Sequence, residues 1–68
     1  MTAKDVIDIF KGRVNQPIIV IFYDADTCKR ICSVDAEKVN AVFLPVKVVT
    51  WVAEGHSDFL KLGIWVNK

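Results

Sequence analysis

The sequence predicts an α/β fold, a three-layer α/β/α domain built on a short, mainly parallel sheet. Three observations lead to this prediction: an apolar run from Ile18 to Tyr23, helical patterns on both sides of that run, and a second β-branched segment from Val46 to Val52. A strand without polar alternation is typical of parallel sheets, because helices cover both of their faces. With 68 residues, the chain is expected to form a single domain over 1–68.

The N-terminal segment is predicted to be an amphipathic helix from Thr2 to Gly12. Thr2 can cap this helix, because Asp5 stands three residues later, as in a capping box. Apolar side chains recur on one face at helical spacing: Val6, Ile9 and Phe10. Gly12 is a plausible end of the helix, and Asn15, Gln16 and Pro17 then break any helical continuation.

A second helix is predicted from about Cys28 to Phe43. Its apolar positions follow the i, i+4, i+7, i+11 spacing of one helix face: Cys32, Ala36, Val39 and Phe43. Pro45 ends the helix, and Val46 to Val52 follows as the second strand. A strand, a crossover helix and another strand make a right-handed βαβ unit with parallel strands.

The C-terminal part is predicted to contain a short helix, Asp58 to Leu62, that ends at Gly63. Ile64 to Val66 is the expected start of a third strand. We expect Trp51 and Trp65 to pack in the core, because tryptophan offers a small domain a large area to bury. An interaction surface is the alternative for these two residues.

The net charge and the length of the apolar runs argue against nucleic acids and membranes as partners. Nine Lys and Arg against eight Asp and Glu give a net charge of +1, which does not favour nucleic-acid binding. No apolar run approaches the roughly 20 residues of a membrane span. Charged residues also interrupt the N-terminal apolar positions, unlike a signal peptide. We therefore expect a cytoplasmic protein with no nucleic-acid partner, no membrane partner and no cofactor, and leave a removed leader open.

The two cysteines carry the strongest chemical signal in the chain. Cys28 and Cys32 form a C-x3-C pair where the first strand turns into the predicted second helix. In the first turn of a helix, unpaired N–H groups and the helix dipole stabilise a thiolate. Lys29 and Arg30 add positive charge. We therefore expect Cys28 to be the reactive thiol and Cys32, on the apolar face, to be more buried.

This arrangement resembles the thioredoxin-like family. The apolar strand Pro17 to Tyr23, a short acidic loop, and then Cys28 and Cys32 carry the resemblance, together with the later segments Phe43 to Val48 and Phe59 to Ile64. The resemblance implies thiol–disulfide exchange with protein thiols or disulfides as partners. Cys28 would attack as a thiolate to form a mixed disulfide, and Cys32 would resolve it.

The chain departs from the family pattern in ways that leave open whether it is an enzyme. Its motif is C-x3-C and not C-x2-C, and Thr27 stands where a tryptophan commonly precedes the first cysteine. The cis-proline strand, the C-terminal hairpin and the last helix of the family have no counterpart. The expected domain is therefore a truncated or degenerate member of the family.

Three alternatives to exchange chemistry remain open. The first is a non-catalytic binding or assembly module. The second is a Cu(I) site formed by Cys28, Cys32 and His56, since two thiolates and an imidazole suit that ion. The third is that both cysteines are small apolar residues without chemistry.

The predicted sheet also has an edge that the chain cannot fully cover. The strand Ile18 to Tyr23 needs neighbours on both edges, and only the short segment Ile64 to Val66 is left for one of them. An open apolar edge invites pairing with another chain. We therefore expect self-association as a two-fold dimer through sheet edges or exchanged elements.

Overall fold

The first helix forms where the capping pattern predicts it. A computed structural model, which describes residues 1–67, places α1 at Ala3–Lys11 with Thr2 as its N-cap and Gly12 as its C-cap. The Asp5 N–H donates to Thr2 Oγ1 at 3.3 Å, and the Thr2 N–H donates to Asp5 Oδ2 at 2.9 Å. This capping box satisfies two N–H groups that the helix leaves free, so the prediction for this element is confirmed.

Four strands follow the helix and form one mixed sheet. Their bounds are β1 Ile18–Asp24, β2 Arg30–Asp35, β3 Val48–Gly55 and β4 Leu60–Val66. Their order in the sheet is β2-β1-β4-β3. The central pair, β1 and β4, is parallel, whereas β2 is antiparallel to β1 and β3 is antiparallel to β4. A one-turn 3-10 helix, Ala36–Lys38, follows β2.

The predicted first strand is confirmed and lies inside the sheet, with a neighbour on each edge. Its residues Ile18, Val20 and Phe22 are buried on the face that carries α1. The core continues onto β4 and the helix, with the buried residues Ala3, Val6, Ile7, Leu60, Leu62, Ile64 and Val66. The helix and the loop after β2 therefore cover one face of the sheet.

The predicted three-layer α/β/α fold with a mainly parallel sheet is wrong. The structure has two layers, because α1 is the single α-helix within residues 1–67. The βαβ unit is absent from the same residues, since the chain leaves β1 through a hairpin and returns to the far edge of the sheet as β3. No helix in the described chain is long and apolar enough to cross a membrane.

The predicted helix from Cys28 to Phe43 is a strand, a 3-10 turn and a loop. Its apolar positions do pack against the core, and the Phe43 ring stacks on Phe22 with centroids 4.7 Å apart. Two polar side chains hydrogen-bond to nearby backbone N–H groups in this segment. Asp35 Oδ1 accepts from the Glu37 N–H at 2.9 Å, and Asn40 Oδ1 accepts from the Val42 N–H at 3.1 Å. Such bonds compete with helical hydrogen bonds. The spacing identified the buried residues but not their conformation.

The predicted helix from Asp58 to Leu62 is also wrong, because most of it belongs to β4. This strand alternates with a period of two, and its buried apolar positions are Leu60, Leu62, Ile64 and Val66. The strand predicted at Val46 to Val52 exists as β3, shifted towards the C terminus, and pairs with β4 and not with β1.

The tryptophans do not lie in the buried core. Trp51 is on the edge strand β3, with its ring edge-on to Phe10 at 5.5 Å. Trp65 lies on the face without a helix and stacks on Tyr23 at 4.5 Å. A Cβ at Gly63 would stand 3.1 Å from Trp65 Cζ3 and 3.4 Å from Tyr23 Cε2, so the glycine lets the two rings lie close over the sheet. These rings supply part of the cover that a second helical layer would give.

Candidate functional site

The Cys28 thiol lies in the hairpin turn between β1 and β2, and not at a helix N terminus. The Cys28 N–H donates to the carbonyl of Asp24 at 2.7 Å, and Asp24 N–H donates to the carbonyl of Lys29 at 2.9 Å. Asp24 Oδ1 also accepts from the Asp26 N–H at 2.9 Å. Cys28 is exposed and has φ 60°, a left-handed conformation that favours glycine. The helix dipole that was expected to act on this thiol is therefore missing.

The second cysteine lies on β2, opposite Phe22 of β1, and is half-buried against the core. Both cysteines lie in the described part of the chain and are free thiols. Cys28 lies in the turn before β2, whereas Cys32 is the third residue of the strand, beyond the β-bulge at its start.

The structure places His56 in the turn between β3 and β4. Its ring stacks on Phe59 at 4.5 Å, and its Nε2 lies 3.1 Å from Glu54 Oε1. The His56 carbonyl accepts from Gln16 Nε2 at 3.1 Å. These neighbours give the imidazole a structural role in the turn.

The cysteines and the histidine lie at opposite ends of the sheet. His56 precedes β4, whose first residue Leu60 is level with Ile18, whereas the Cys28 turn follows Asp24 at the other end of β1. The seven residues of β1 span about 20 Å at the usual rise of a strand. Within residues 1–67, no three His, Cys, Asp or Glu side chains form a group that could hold a metal ion.

A cleft lies between the end of α1 and the 3-10 turn, with a volume of about 370 Å³. Its lining mixes one cation with two carboxylates and several neutral residues: Lys11, Val14, Asn15, Gln16, Pro17, Ile18, Asp35, Ala36 and Glu37. The volume falls within the size range of small-molecule sites. However, the polar side chains of the lining are exposed or already bound to the backbone of the chain: Gln16 Nε2 donates to the His56 and Ser57 carbonyls, and Asp35 Oδ1 accepts from the Glu37 N–H.

The outer edge of β3 has no partner strand along most of its length. At its start, the Val48 N–H donates to the Met1 carbonyl at 2.9 Å, and the Ala3 N–H donates to the Val46 carbonyl at 3.0 Å. Beyond Val48, no backbone hydrogen bond from the rest of residues 1–67 reaches 49–55, apart from the ladder to β4. Alternate N–H and C=O groups of 49–55 therefore face solvent.

The side chains of β3 are exposed on both faces of the sheet. After Val48 every residue of the strand is exposed, and Val49, Trp51 and Val52 are large apolar residues with exposed fractions of 56%, 37% and 54%. Glu54 is the one charged residue of the strand. Sequence reasoning recognised a strand here but assigned it to a parallel βαβ unit, so it missed this edge. The sequence feature that could have indicated an open edge is the segment 48–53, which contains neither proline nor a charged residue.

The charged groups with shifted pKa values lie at the start of α1. Hydrogen bonding with the Thr2 backbone N–H, and then with the Thr2 side chain, holds the pKa of Asp5 below its ordinary value. The hydrogen bond to Asp8, at 2.7 Å, and the attraction of its charge raise the pKa of Lys4. Because Thr2 follows Met1, the capping box also holds the segment that covers β3 at Val48.

The chain was compared with family models, curated proteins and solved structures. None of the three comparisons found a match.

Proposed function

We propose that this protein is a non-catalytic binding module that pairs a strand of a partner protein with the outer edge of β3. The observation that carries the proposal is the row of unpaired backbone groups along 49–55. An extended segment that adds to a sheet edge gains main-chain hydrogen bonds, and the side-chain positions along the edge set its specificity.

The side chains of β3 indicate what kind of segment fits this edge. From Val49 to Ala53 the strand is neutral and mostly apolar, and its large side chains are already exposed. A charged segment would lose hydration there without finding an opposite charge. The partner segment is therefore extended, uncharged over about five residues, and rich in β-branched or aromatic residues.

A synthetic peptide tests this proposal directly. The probe carries residues 47–55 between pairs of lysines that keep it soluble, and the readout is the amide spectrum of ¹⁵N-labelled full-length protein. We expect shifts confined to 49–55 and its β4 neighbours. The control peptide has the same side chains with alternate backbone nitrogens methylated, which removes donors from the ladder. Shifts at β2, or equal binding of the methylated peptide, would contradict the proposal.

Thiol–disulfide exchange remains a second proposal, because Cys28 holds an exposed thiol in a conformation that costs a non-glycine residue energy. The Cys28 thiolate would attack oxidised glutathione, form a mixed disulfide and release one glutathione thiolate. Because Cys32 is half-buried on β2 and Cys28 lies exposed in the turn, we expect the mixed disulfide at Cys28 to persist. Peptide mapping after exposure to oxidised glutathione tests this. Modification of Cys32 before Cys28 would refute it.

A further inference from the structure

We infer that the strand which pairs with β3 comes from a second copy of this chain, in an antiparallel two-fold arrangement centred on Trp51. This inference rests on the proposed function and specifies its partner. The two sheets would join through their β3 edges into one sheet of eight strands, with both α1 helices on the same face.

The geometry of an antiparallel pair restricts the possible registers. Residues that stand opposite each other point to the same face of the sheet, so a two-fold axis must pass between two copies of one residue. Trp51 is the middle residue of the free neutral segment 49–53. An axis at Trp51 sets Thr50 opposite Val52 of the second copy, and Val49 opposite Ala53. All five positions then meet an uncharged neighbour.

The residues that flank this segment complement each other in charge. Lys47 precedes it and Glu54 follows it. In the antiparallel arrangement, the end of one segment that carries Lys47 lies near the end of the other that carries Glu54, beyond the backbone ladder, because Thr2 of the same copy already pairs with Lys47. A parallel arrangement would instead bring the two Glu54 carboxylates together. The attraction at both ends therefore favours a second copy in the antiparallel direction.

The N-terminal segment limits the length of the new ladder. The position opposite Glu54 in this register is Val48, whose N–H already donates to Met1. The ladder between copies therefore ends at Val49 on each side, where the β-bulge between Val48 and Thr50 also interrupts the regular alternation of the strand. A contact of this size lies below the range of permanent dimers, so the proposal is a reversible monomer–dimer equilibrium.

Sedimentation equilibrium of the full chain, from about 10 to 500 µM, tests the inference over the range expected for a small interface. Two double variants test the register, because Thr50 and Val52 are both exposed and stand opposite each other across the axis. The variant Thr50→Lys with Val52→Lys places two lysines opposite each other at both 50–52 pairs of the dimer. We expect it to weaken the dimer by about tenfold or more.

Thr50→Lys with Val52→Glu provides the matched comparison, because it places opposite charges at the same two positions. We expect this variant to dimerise at least as well as the unmodified chain. Ser33→Lys, on the exposed side of β2, is the control for added positive charge and should leave dimerisation unchanged. Denaturant unfolding at low concentration shows that each variant folds.

The outcomes separate this inference from the proposed function. A chain that stays monomeric to about 500 µM but binds the β3 peptide along 49–55 would overturn the inference that the partner is a second copy. The same result would support the proposed binding module. Failure of both experiments would overturn both. A dimer that the two double variants form equally well, or that Ser33→Lys disrupts, would also overturn the inference.

Discussion

The two edges of the sheet differ in how the chain protects them. The β2 edge has six residues, carries Arg30 and Asp35 at its ends, and presents Ser33 in its middle. The β3 edge has eight residues, with one charge and three exposed large apolar side chains. Each edge contains one β-bulge, so the bulges do not distinguish them. Short length and charge are the features with which proteins block edge-to-edge pairing.

Folding and the proposed binding depend on different strands of one small sheet. Side chains of β1 and β4 form the core, whereas those of β3 are exposed on both faces after Val48. The core strands therefore carry the stability, and β3 is free to carry a binding surface. Substitutions in the two regions should therefore separate stability from binding.

The largest effect is expected from Phe22→Ala on the central strand. Phe22 is fully buried, stacks on Phe43 and stands opposite Cys32 of β2. Removing a buried phenylalanine ring costs about 3–5 kcal/mol, a large part of the stability of a domain this small. Urea denaturation measures the loss. A loss below about 1 kcal/mol would show that the core does not depend on this ring.

A smaller effect of opposite sign is expected from Cys28→Gly in the turn that leads to β2. Glycine adopts the left-handed conformation of this position without the steric cost of a Cβ, so we expect a gain of about 1 kcal/mol. Cys28→Ala is the matched control, since it removes the thiol and keeps the Cβ. Equal unfolding free energies for the two variants would contradict a strained turn.

Val52→Thr on β3 should change stability by less than about 0.5 kcal/mol, because the side chain is 54% exposed and threonine keeps the β-branched shape. Val20→Thr, the same change at a fully buried position of β1, is the comparison and should cost several times more. Urea denaturation at low protein concentration measures both. Similar losses at the two positions would mean that β3 supports the core after all.

The smallest effect concerns pH and the capping box. The pKa of Asp5 is lower in the folded chain than its ordinary value of 3.8. The stabilisation is therefore complete above that value and is lost as the pH falls through the lower folded pKa. Thermal unfolding between about pH 5 and pH 2 should show a smaller acid loss in Asp5→Asn, which keeps an acceptor but does not titrate. Identical acid profiles would contradict this role of Asp5.

The sequence predicted local features better than it predicted their arrangement. The helix at α1 and the strand at β1 were predictable, because a capping box and a long β-branched run act over short distances. The hairpin at Cys28 was not, since a non-glycine residue in a left-handed conformation leaves no signal in the sequence. The alternation in β4 was visible, but the segment Asp58 to Leu62 was interpreted as a helix.

The candidate site was predictable only in part, because it depends on how distant segments of the chain are arranged. Dimerisation through a sheet edge was expected and remains a proposal, but the edge itself depends on the sheet order β2-β1-β4-β3. That order results from packing between distant segments, which periodicity does not report. The spacing of Cys28 and Cys32 suggested proximity only under the assumption of a helix. In the structure Cys28 lies in the hairpin turn and Cys32 on β2.

Backbone hydrogen exchange at two protein concentrations tests the difference between the two edges most directly. The amides of 49–53 that face away from β4 are unpaired in the monomer and would be hydrogen-bonded in the two-fold dimer. Between about 10 and 500 µM, we predict that their exchange slows while exchange along β2 stays unchanged. Exchange in 49–53 that is independent of concentration, or slowing along β2 of the same size, would contradict pairing of two copies through the β3 edge.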